Sequence, residues 1–396
     1  MMELKNIELL MPSGDLECMN AAIKYGADAV YCGGPFMQLR AGHVGFSMES
    51  LAEAVKLLHD NKKKLYVTVN SFAQNSEIKE LGPYARELKN LGVDAVIVSD
   101  IGAIAAIKEG CPDIEVHLST QANCMNYKAA EVYYNMGVSR IVLARELSIE
   151  KIAEIAANKP KALELEAFVH GAMCMSYSGR CMISAFLTGR SGNRGECAQG
   201  CRWNYYLMEE KRPGEYFKVE ESDNGMAILS SKELCCVDIL EDLANAGVVS
   251  FKVEGRMRTP FYVGTVANAY KNLMNGIITP DQARAELDTV SHRPFCTGFY
   301  EGDISQIAPD DQGYIRDWSF IGSVIDDQTI LTRNAFNVGD ELEVLTPGNL
   351  GKKFVVEHIE NDEGESLQRS ASPMKEIKTN LPKGVLKGDI IRKKTE

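Results

Sequence analysis

The stretch "AIKYGADAVYCGG", residues 22–34, joins the end of a helical segment to a short buried strand through one glycine. The same arrangement returns in "ELKNLGVDAVIVSD" (87–100), "YYNMGVSRIVLARE" (133–146) and "DLANAGVVSFKVEGR" (242–256). In each copy the glycine is typical of a helix C-cap, and the apolar run after it is typical of a parallel strand covered on both faces. The repeat therefore predicts helices that alternate with parallel strands.

Strand-like segments along the chain predict eight strands, at residues 7–12, 29–33, 65–70, 95–99, 115–120, 140–145, 163–169 and 249–254. Eight strands alternating with helices favour a closed (β/α)8 barrel of the TIM type, with an open doubly wound sheet as the alternative. Functional residues of such barrels lie at the C-terminal ends of the strands. Four side chains expected at those ends, Arg145, His170, Glu254 and Arg256, predict a binding site for a polar or anionic substrate.

The sequence pattern changes near Trp318. Segments such as "FIGSVID", "DELEVLTP" and "GDIIRKK" are short and β-like, with turn residues between them and no helical periodicity. We therefore expect a TIM-like barrel over residues 1–290, a linker over 291–317 and a small β-barrel domain over 318–396. A loop over residues 170–205 would extend from the first domain.

Composition narrows the class of protein. The 396 residues are 45 % apolar and 25 % charged, and the net charge of −12 argues against non-specific nucleic-acid binding over the whole surface. The sequence has no run of 18 apolar residues and no secretory leader, so we expect a cytoplasmic protein. Its eleven cysteines are then expected to be reduced, and clustered ones to be metal ligands or catalytic groups.

Four cysteines lie close together in "HGAMCMSYSGRC" (170–181) and "GECAQGCRW" (195–203), namely Cys174, Cys181, Cys197 and Cys201. Four thiolates suit an iron–sulfur cluster or a tetrahedral zinc ion. Structural zinc sites usually have paired short spacings, and only the second pair here has one, so the spacing favours a cluster. Cys235, in a segment expected to begin a helix, is the reserve candidate for the fourth ligand.

The same loop carries basic and aromatic residues. Arg190, Arg194 and Arg202 precede or adjoin Trp203. Arginines that contact phosphates, together with an aromatic ring that stacks on an unpaired base, are typical of RNA-loop recognition. A solvated surface with a core aromatic is the alternative. We expect RNA to bind at these four residues.

The stretch "EAFVHGAMCMSYSGRCMIS", residues 166–184, resembles the signature of the collagenase-like peptidases, unclassified-peptidase family 32. "SSKELC" and "SFKVEGRMRTPFYV" are similar to later blocks of the family, and the resemblance covers essentially the whole chain. The family name implies proteolysis. Other members imply hydroxylation that depends on prephenate and on a four-cysteine iron–sulfur cluster, with quinone precursors, 23S rRNA or the wobble uridine of tRNA as substrates.

Chain length, the Cys197–Cys201 pair and the β segment make this sequence most similar to the tRNA branch. The resemblance then implies a 4Fe-4S cluster, prephenate as co-substrate, tRNA as partner and a possible paralogous partner subunit. Peptidase activity, and hydroxylation of rRNA or of a quinone precursor, are the alternatives. The residues themselves favour no hydrolase, since the six histidines never pair at i, i+4 and no Gly-x-Ser-x-Gly occurs. Catalytic residues are left unassigned.

Overall fold

The structure is a computed structural model. It describes residues 4–39, 45–174, 176, 180–203, 206–208, 211, 213–214, 216–218, 231–302, 314–370 and 372–395. Residues 303–313 of the expected linker lie outside this set, as do 175, 177–179 and 204–205 of the expected loop. The chain divides into two compact units, one formed by residues 1–16, 28–257 and 293–314, and the other by residues 17–27, 258–292 and 315–396.

Short apolar strands build the first unit. In chain order they are β1 Glu8–Pro12, β2 Ala29–Gly33, β3 Lys64–Val69, β4 Ala95–Val98, β5 Glu115–Leu118, β6 Arg140–Val142, β7 Glu164–Ala172, β8 Tyr206–Met208, β9 Tyr216–Lys218, β10 Glu233–Cys235, β11 Ser250–Val253 and β12 Phe295–Cys296. Strands β1 to β7 pair in parallel in chain order, and β11 pairs in parallel with both β7 and β1. This pairing closes an eight-stranded barrel, which confirms the (β/α)8 prediction and excludes the open doubly wound sheet.

The helices alternate with the barrel strands and mostly begin at polar caps. They are α1 Leu16–Lys24, α2 Met48–Asp60, α3 Asn75–Leu91, α4 Ile101–Gly110, α5 Tyr127–Asn135, α6 Ile149–Asn158, α7 Ile183–Thr188, α8 Leu240–Asn245, α9 Pro260–Met274 and α10 Pro280–Leu287. The expected glycine cap is present at Gly92, which ends α3 with a positive φ of 94°. None of the helices in the described part of the chain is both long and apolar enough to cross a bilayer.

Strand β7 is longer than the sequence pattern predicts, and β10 explains why. β10 pairs antiparallel with the end of β7, where Cys235 lies opposite His170 and Glu233 lies opposite Ala172. The added partner satisfies backbone groups of β7 beyond the barrel ring. The segment around Cys235 is therefore a strand, and the expectation that a helix begins there is wrong.

Charged side chains fill part of the barrel interior. The Arg140 guanidinium lies 2.7 Å from Glu164 and 3.3 Å from Glu166, and it also contacts Glu8. Glu166 is fully buried and accepts a hydrogen bond of 2.7 Å from Lys252. Burial opposes the charge of Glu166, but Lys252 and Arg140 outweigh it and hold the pKa of this carboxyl below its usual range.

The second unit combines α1, α9 and α10 with an all-β segment. The strands of that segment are β13 Trp318–Val324, β14 Thr329–Thr332, β15 Phe336–Asn337, β16 Glu341–Leu345, β17 Lys352–Val355, β18 Ile359–Glu360, β19 Ser366–Leu367, β20 Arg369–Ser370, β21 Glu376–Lys378 and β22 Ile390–Lys394. They pair antiparallel around a core that includes Ile321, Phe336 and Ile391. This confirms the all-β prediction for the C-terminal part of the chain.

Helix α10 joins the β segment of this unit through a buried arginine. Arg392 on β22 donates to both carboxylate oxygens of Glu286 at 3.0 Å and to Glu343 at 2.8 Å. Its side chain is 2 % exposed, so these charges are paired away from water. Such a bidentate pair fixes orientation as well as position.

Candidate functional site

A cavity of about 230 Å³ opens at the C-terminal end of the barrel strands. Its wall combines rings, amides, cations and thiols within the first unit. The lining includes Tyr31, Leu39, Thr68, Asn70, Ile97, Thr120, Gln121, Val142, Arg145, Phe168, Ala172, Met173, Cys174, Ser176, Cys181, Ile183, Gly192, Asn193, Cys197, Gln199, Cys201, Lys252, Glu254 and Arg256.

All four cysteines predicted as ligands line this cavity. Cys174 follows β7 and is exposed, while Cys181, Cys197 and Cys201 are partly exposed. None of the eleven cysteines, all of which lie within the described residues, forms a disulfide. In the described part of the chain, no three His, Cys, Asp or Glu side chains are gathered closely enough to hold a metal ion. The fold thus brings the four thiols to one wall without assembling them around a point.

Hydrogen bonds within the cysteine loop, residues 181–201, hold its ligand candidates in place. The buried Ser184 hydroxyl accepts from the amide of Ala198 at 2.9 Å, which ties α7 to the segment after Cys197. The Asn193 amide donates to the carbonyl of Cys181 at 3.1 Å. These bonds fix the backbone at Cys181 and next to Cys197, two of the four cysteine positions.

Arg194 anchors the cysteine loop to the barrel. Its guanidinium lies 2.8 Å from Glu77 and donates to the carbonyl of Phe72. The hydrogen bond from Arg194 holds the pKa of Glu77 below its usual range. Next to it, Gly195 has a φ of +92°, and a side chain there would collide with the backbone of residues 38 and 39. RNA binding by Arg194 stays a prediction, but its charge is already used by Glu77.

Replacing Arg194 tests this anchor. Arg194→Ala removes a partly buried charge-assisted pair, and we expect a loss of about 1–2 kcal/mol, or a 5- to 30-fold rise in local opening. Hydrogen exchange of the backbone amides of residues 191–201 measures that opening. Arg190→Ala is the matched control, because Arg190 is exposed on the same loop. Equal exchange in the two variants would show that the Glu77 pair does not hold the loop.

Cys235, the reserve ligand, lies elsewhere. It is 1 % exposed in β10 and does not line the cavity, and the neighbouring Cys236 is fully buried. Burial raises the pKa of Cys236 well above its usual value, which disfavours the thiolate that metal binding needs. The geometry therefore favours Cys201 over Cys235 as the fourth member of the set.

Two of the predicted substrate-binding residues present cations to the cavity. The Arg145 guanidinium donates to the Ala172 carbonyl at 2.7 Å and lies 3.8 Å from the centroid of the Phe168 ring. Arg256 donates to the Thr68 hydroxyl at 3.0 Å and to the Gln38 amide oxygen at 3.2 Å. Both guanidinium groups line the cavity, so each places a cation within reach of an anionic ligand bound there.

Glu254 lines the cavity as predicted, but His170 does not. Phe168 lies opposite Lys252 and His170 lies opposite Val253, so one extra residue, Val169, bulges from β7. The bulge breaks the alternation that would aim His170 into the barrel. Its ring is fully buried and lies 5.6 Å from that of Phe295.

Lys252 is a cavity residue that sequence reasoning missed. It lies on β11 two residues before Glu254, so both project from the same face. The missed signal was a charged residue in the middle of the buried run "SFKVEGR". Such a position is rarely occupied by lysine without a partner or a function.

The predicted RNA-binding residues differ in exposure. Trp203 is 44 % exposed and Arg190 is exposed, so both can meet a macromolecule. Met182, on the cysteine loop, is 68 % exposed, so an apolar side chain is also available on that surface. The side chain of Arg202 lies outside the described residues.

Two family models match the chain. The model of peptidase family U32 matches residues 14–308, and the model of the peptidase family U32 C-terminal domain matches residues 316–392. Together they cover the barrel strands from β2 onward and nearly all of the all-β segment. The family resemblance drawn from residues 166–184 is confirmed.

Curated relatives match over most of their length. "tRNA hydroxylation protein P1" of Bacillus subtilis is 34 % identical, covering 98 % of this chain and 95 % of the relative. "tRNA hydroxylation protein P" of Escherichia coli is 35 % identical, covering 91 % and 90 % respectively. "Collagenase" of Porphyromonas gingivalis is 33 % identical, covering 76 % of this chain and 75 % of the relative.

Proposed function

This chain belongs to peptidase family U32, and on that premise we propose that it hydroxylates position 5 of the wobble uridine of tRNA, with prephenate as co-substrate and a 4Fe-4S cluster as cofactor. One observation carries the proposal: four thiols separated by up to 27 positions, Cys174 to Cys201, line one cavity together with Arg145, Lys252 and Arg256. Thiolates suit redox chemistry at a metal, and the cations suit an anionic co-substrate. The full-length tRNA hydroxylation relatives support tRNA as the substrate.

The donor set fits an iron–sulfur cluster. Cys174, Cys181, Cys197 and Cys201 would hold it, since all four thiols reach the same cavity and are at least partly exposed. Metal binding commonly completes a site whose ligands are only brought near each other by the fold. A cluster bound there would supply one-electron transfer.

Arg145 and Arg256 would bind the carboxylates of prephenate. Arg145→Ala and Arg256→Ala each remove one partly buried charge-assisted contact, and we expect each to cost about 1.5–3 kcal/mol, or about 10- to 100-fold in affinity. Calorimetry with prephenate measures the affinity, and thermal melting checks the fold. Arg190→Ala, on the exposed loop, serves as a control with unchanged affinity. Unchanged affinity in both cavity variants would remove these arginines from the ligand site.

RNA would bind at the rim formed by the cysteine loop. Arg190 can pair with a phosphate, and Trp203 can stack on an unpaired base. The net charge of −12 disfavours RNA contact over the whole surface, so RNA would contact local basic stretches, this rim and the C-terminal β segment. A paralogous subunit of the same family is proposed as a further partner.

A peptidase is the second candidate, favoured by the collagenase relative. A thiol peptidase needs a cysteine beside an imidazole. In this fold Cys174 lines the cavity, whereas His170 is buried outside the lining. Cys174 and His170 are four residues apart in sequence, but the fold does not bring the imidazole to the cavity that Cys174 lines.

Reconstitution tests the choice directly. The full chain, purified without oxygen, is incubated with unmodified tRNA and prephenate. The tRNA is then digested to nucleosides, which are separated and identified by mass spectrometry. We expect 5-hydroxyuridine that depends on prephenate. Cleavage of denatured collagen without tRNA modification would favour the peptidase, and hydroxylation of rRNA or of a quinone precursor alone would favour the other hydroxylation branches.

A further inference from the structure

Lys252 carries an amine that is buried and yet forms part of the cavity wall. Its side chain is 4 % exposed, and its Nζ lies 2.7 Å from Glu166 Oε1 and 4.2 Å from the centroid of the Tyr31 ring. Glu166 also accepts from Arg140 at 3.3 Å, so this carboxylate has a cationic partner besides Lys252. Because Arg140 already balances the Glu166 charge, charge balance alone does not explain why a lysine lies at position 252 in the cavity wall.

The surroundings favour release of a proton from this amine. Burial lowers the pKa of Lys252, and the nearby Arg140 charge acts in the same direction, while Glu166 opposes both. A buried lysine beside another cation is the setting in which an amine becomes a nucleophile. Glu166, at hydrogen-bond distance, is the base that would receive the proton.

Arg145 and Lys252 both lie near the Phe168 ring, and both line the cavity. Arg145 lies 3.8 Å from the Phe168 ring centroid, and Lys252 Nζ lies 5.6 Å from the same centroid. A carboxylate held by Arg145 would bring an adjacent oxo group into the cavity that Lys252 also lines. A 2-oxo acid is the chemical class that has these two groups side by side.

We propose that the Lys252 amine forms an imine with the oxo group of a bound 2-oxo acid, an inference that rests on the proposed use of prephenate, which carries a 2-oxo acid side chain. The ammonium passes one proton to Glu166, and the free amine adds to the carbonyl carbon. One proton of the added nitrogen moves to the former carbonyl oxygen, and Glu166 returns the other. The carbon–oxygen bond then breaks, and the oxygen leaves as water. The product is a protonated imine, with no change of oxidation state.

Reductive trapping tests this step on the full chain. The protein is incubated with phenylpyruvate or pyruvate and sodium cyanoborohydride, digested and mapped by mass spectrometry. We expect one peptide, containing Lys252, to gain the mass of the acid less one oxygen atom. Lys252→Arg should lose the adduct, because a guanidinium does not form an imine under these conditions. Lys128→Arg, at a lysine whose side chain is 72 % exposed, should leave it unchanged.

Adducts on exposed lysines only, or no adduct although calorimetry shows that phenylpyruvate binds, would overturn the imine. The outcome is separable from the proposed function. If Lys252→Arg hydroxylates tRNA with prephenate at the normal rate, the imine is wrong and the proposed function is retained. If the protein forms the Lys252 adduct but modifies no tRNA, the imine is retained and the proposed function is wrong.

Discussion

Replacing any one of Cys174, Cys181, Cys197 or Cys201 with serine is expected to remove the iron–sulfur cluster and abolish tRNA hydroxylation. Each thiol lines the same cavity, and a hydroxyl is a poor substitute for a soft thiolate ligand of iron. Protein purified without oxygen should be brown in the wild type and colourless in each variant. Iron and sulfide analysis gives the loading, and nucleoside analysis of tRNA gives the activity.

Two other cysteines are controls for this experiment. Cys296→Ser changes a partly exposed cysteine outside the cavity lining, and it should keep full iron loading. Cys235→Ala changes the reserve ligand. If Cys235→Ala loses the cluster while Cys201→Ser keeps it, the fourth ligand is Cys235. One tightly held zinc ion in a colourless wild-type protein would contradict the cluster altogether.

Arg140→Met is expected to destabilise the barrel by about 3–5 kcal/mol. The substitution removes the cation that contacts Glu8, Glu164 and Glu166, and Glu166 is fully buried. Carboxylates stranded at low dielectric lose the attraction that offsets their desolvation. Burial disfavours the charged form of Arg140, but the attraction of these carboxylates outweighs burial and raises the pKa of the guanidinium above its usual value. Arg140 is therefore a cation at neutral pH.

Urea unfolding followed by circular dichroism measures this loss. Arg140→Lys is the matched control, because it keeps the charge but loses the planar fork that reaches several carboxylates, and it should fall between the wild type and Arg140→Met. A loss below about 1 kcal/mol in Arg140→Met would show that water or protonation compensates the carboxylates, as it does at exposed pairs.

Strands β2, β4, β6 and β11 were predictable because each follows a glycine-capped helix with a run of apolar residues. The same signal sets the strand starts at Ala29, Ala95 and Arg140 to within a residue of the structure. The end of β7 was not predictable. Its last residues pair with β10, a contact between segments 60 residues apart that no local pattern reveals.

The site was predictable in its chemistry and less so in its contacts. Spacing identified the four thiols, and strand ends identified Arg145, Glu254 and Arg256. The same criterion misplaced His170, because a bulge at Val169 changes the register of β7. Lys252 was missed because its segment has the apolar pattern of a buried strand. Its partner Glu166 is 86 positions away in sequence and meets it only when the barrel closes. Likewise, the sequence of α10 does not reveal which segment its Glu286 contacts. The pairing of Glu286 with Arg392 was therefore found only in the structure.

The most direct test of the central claim is nucleoside analysis of tRNA from cells that lack this protein. We expect 5-hydroxyuridine and its derivatives to disappear from the wobble position, to return with the wild-type chain and not to return with Cys201→Ser. Unchanged wobble uridine modification in the deletion strain, or full rescue by Cys201→Ser, would contradict it.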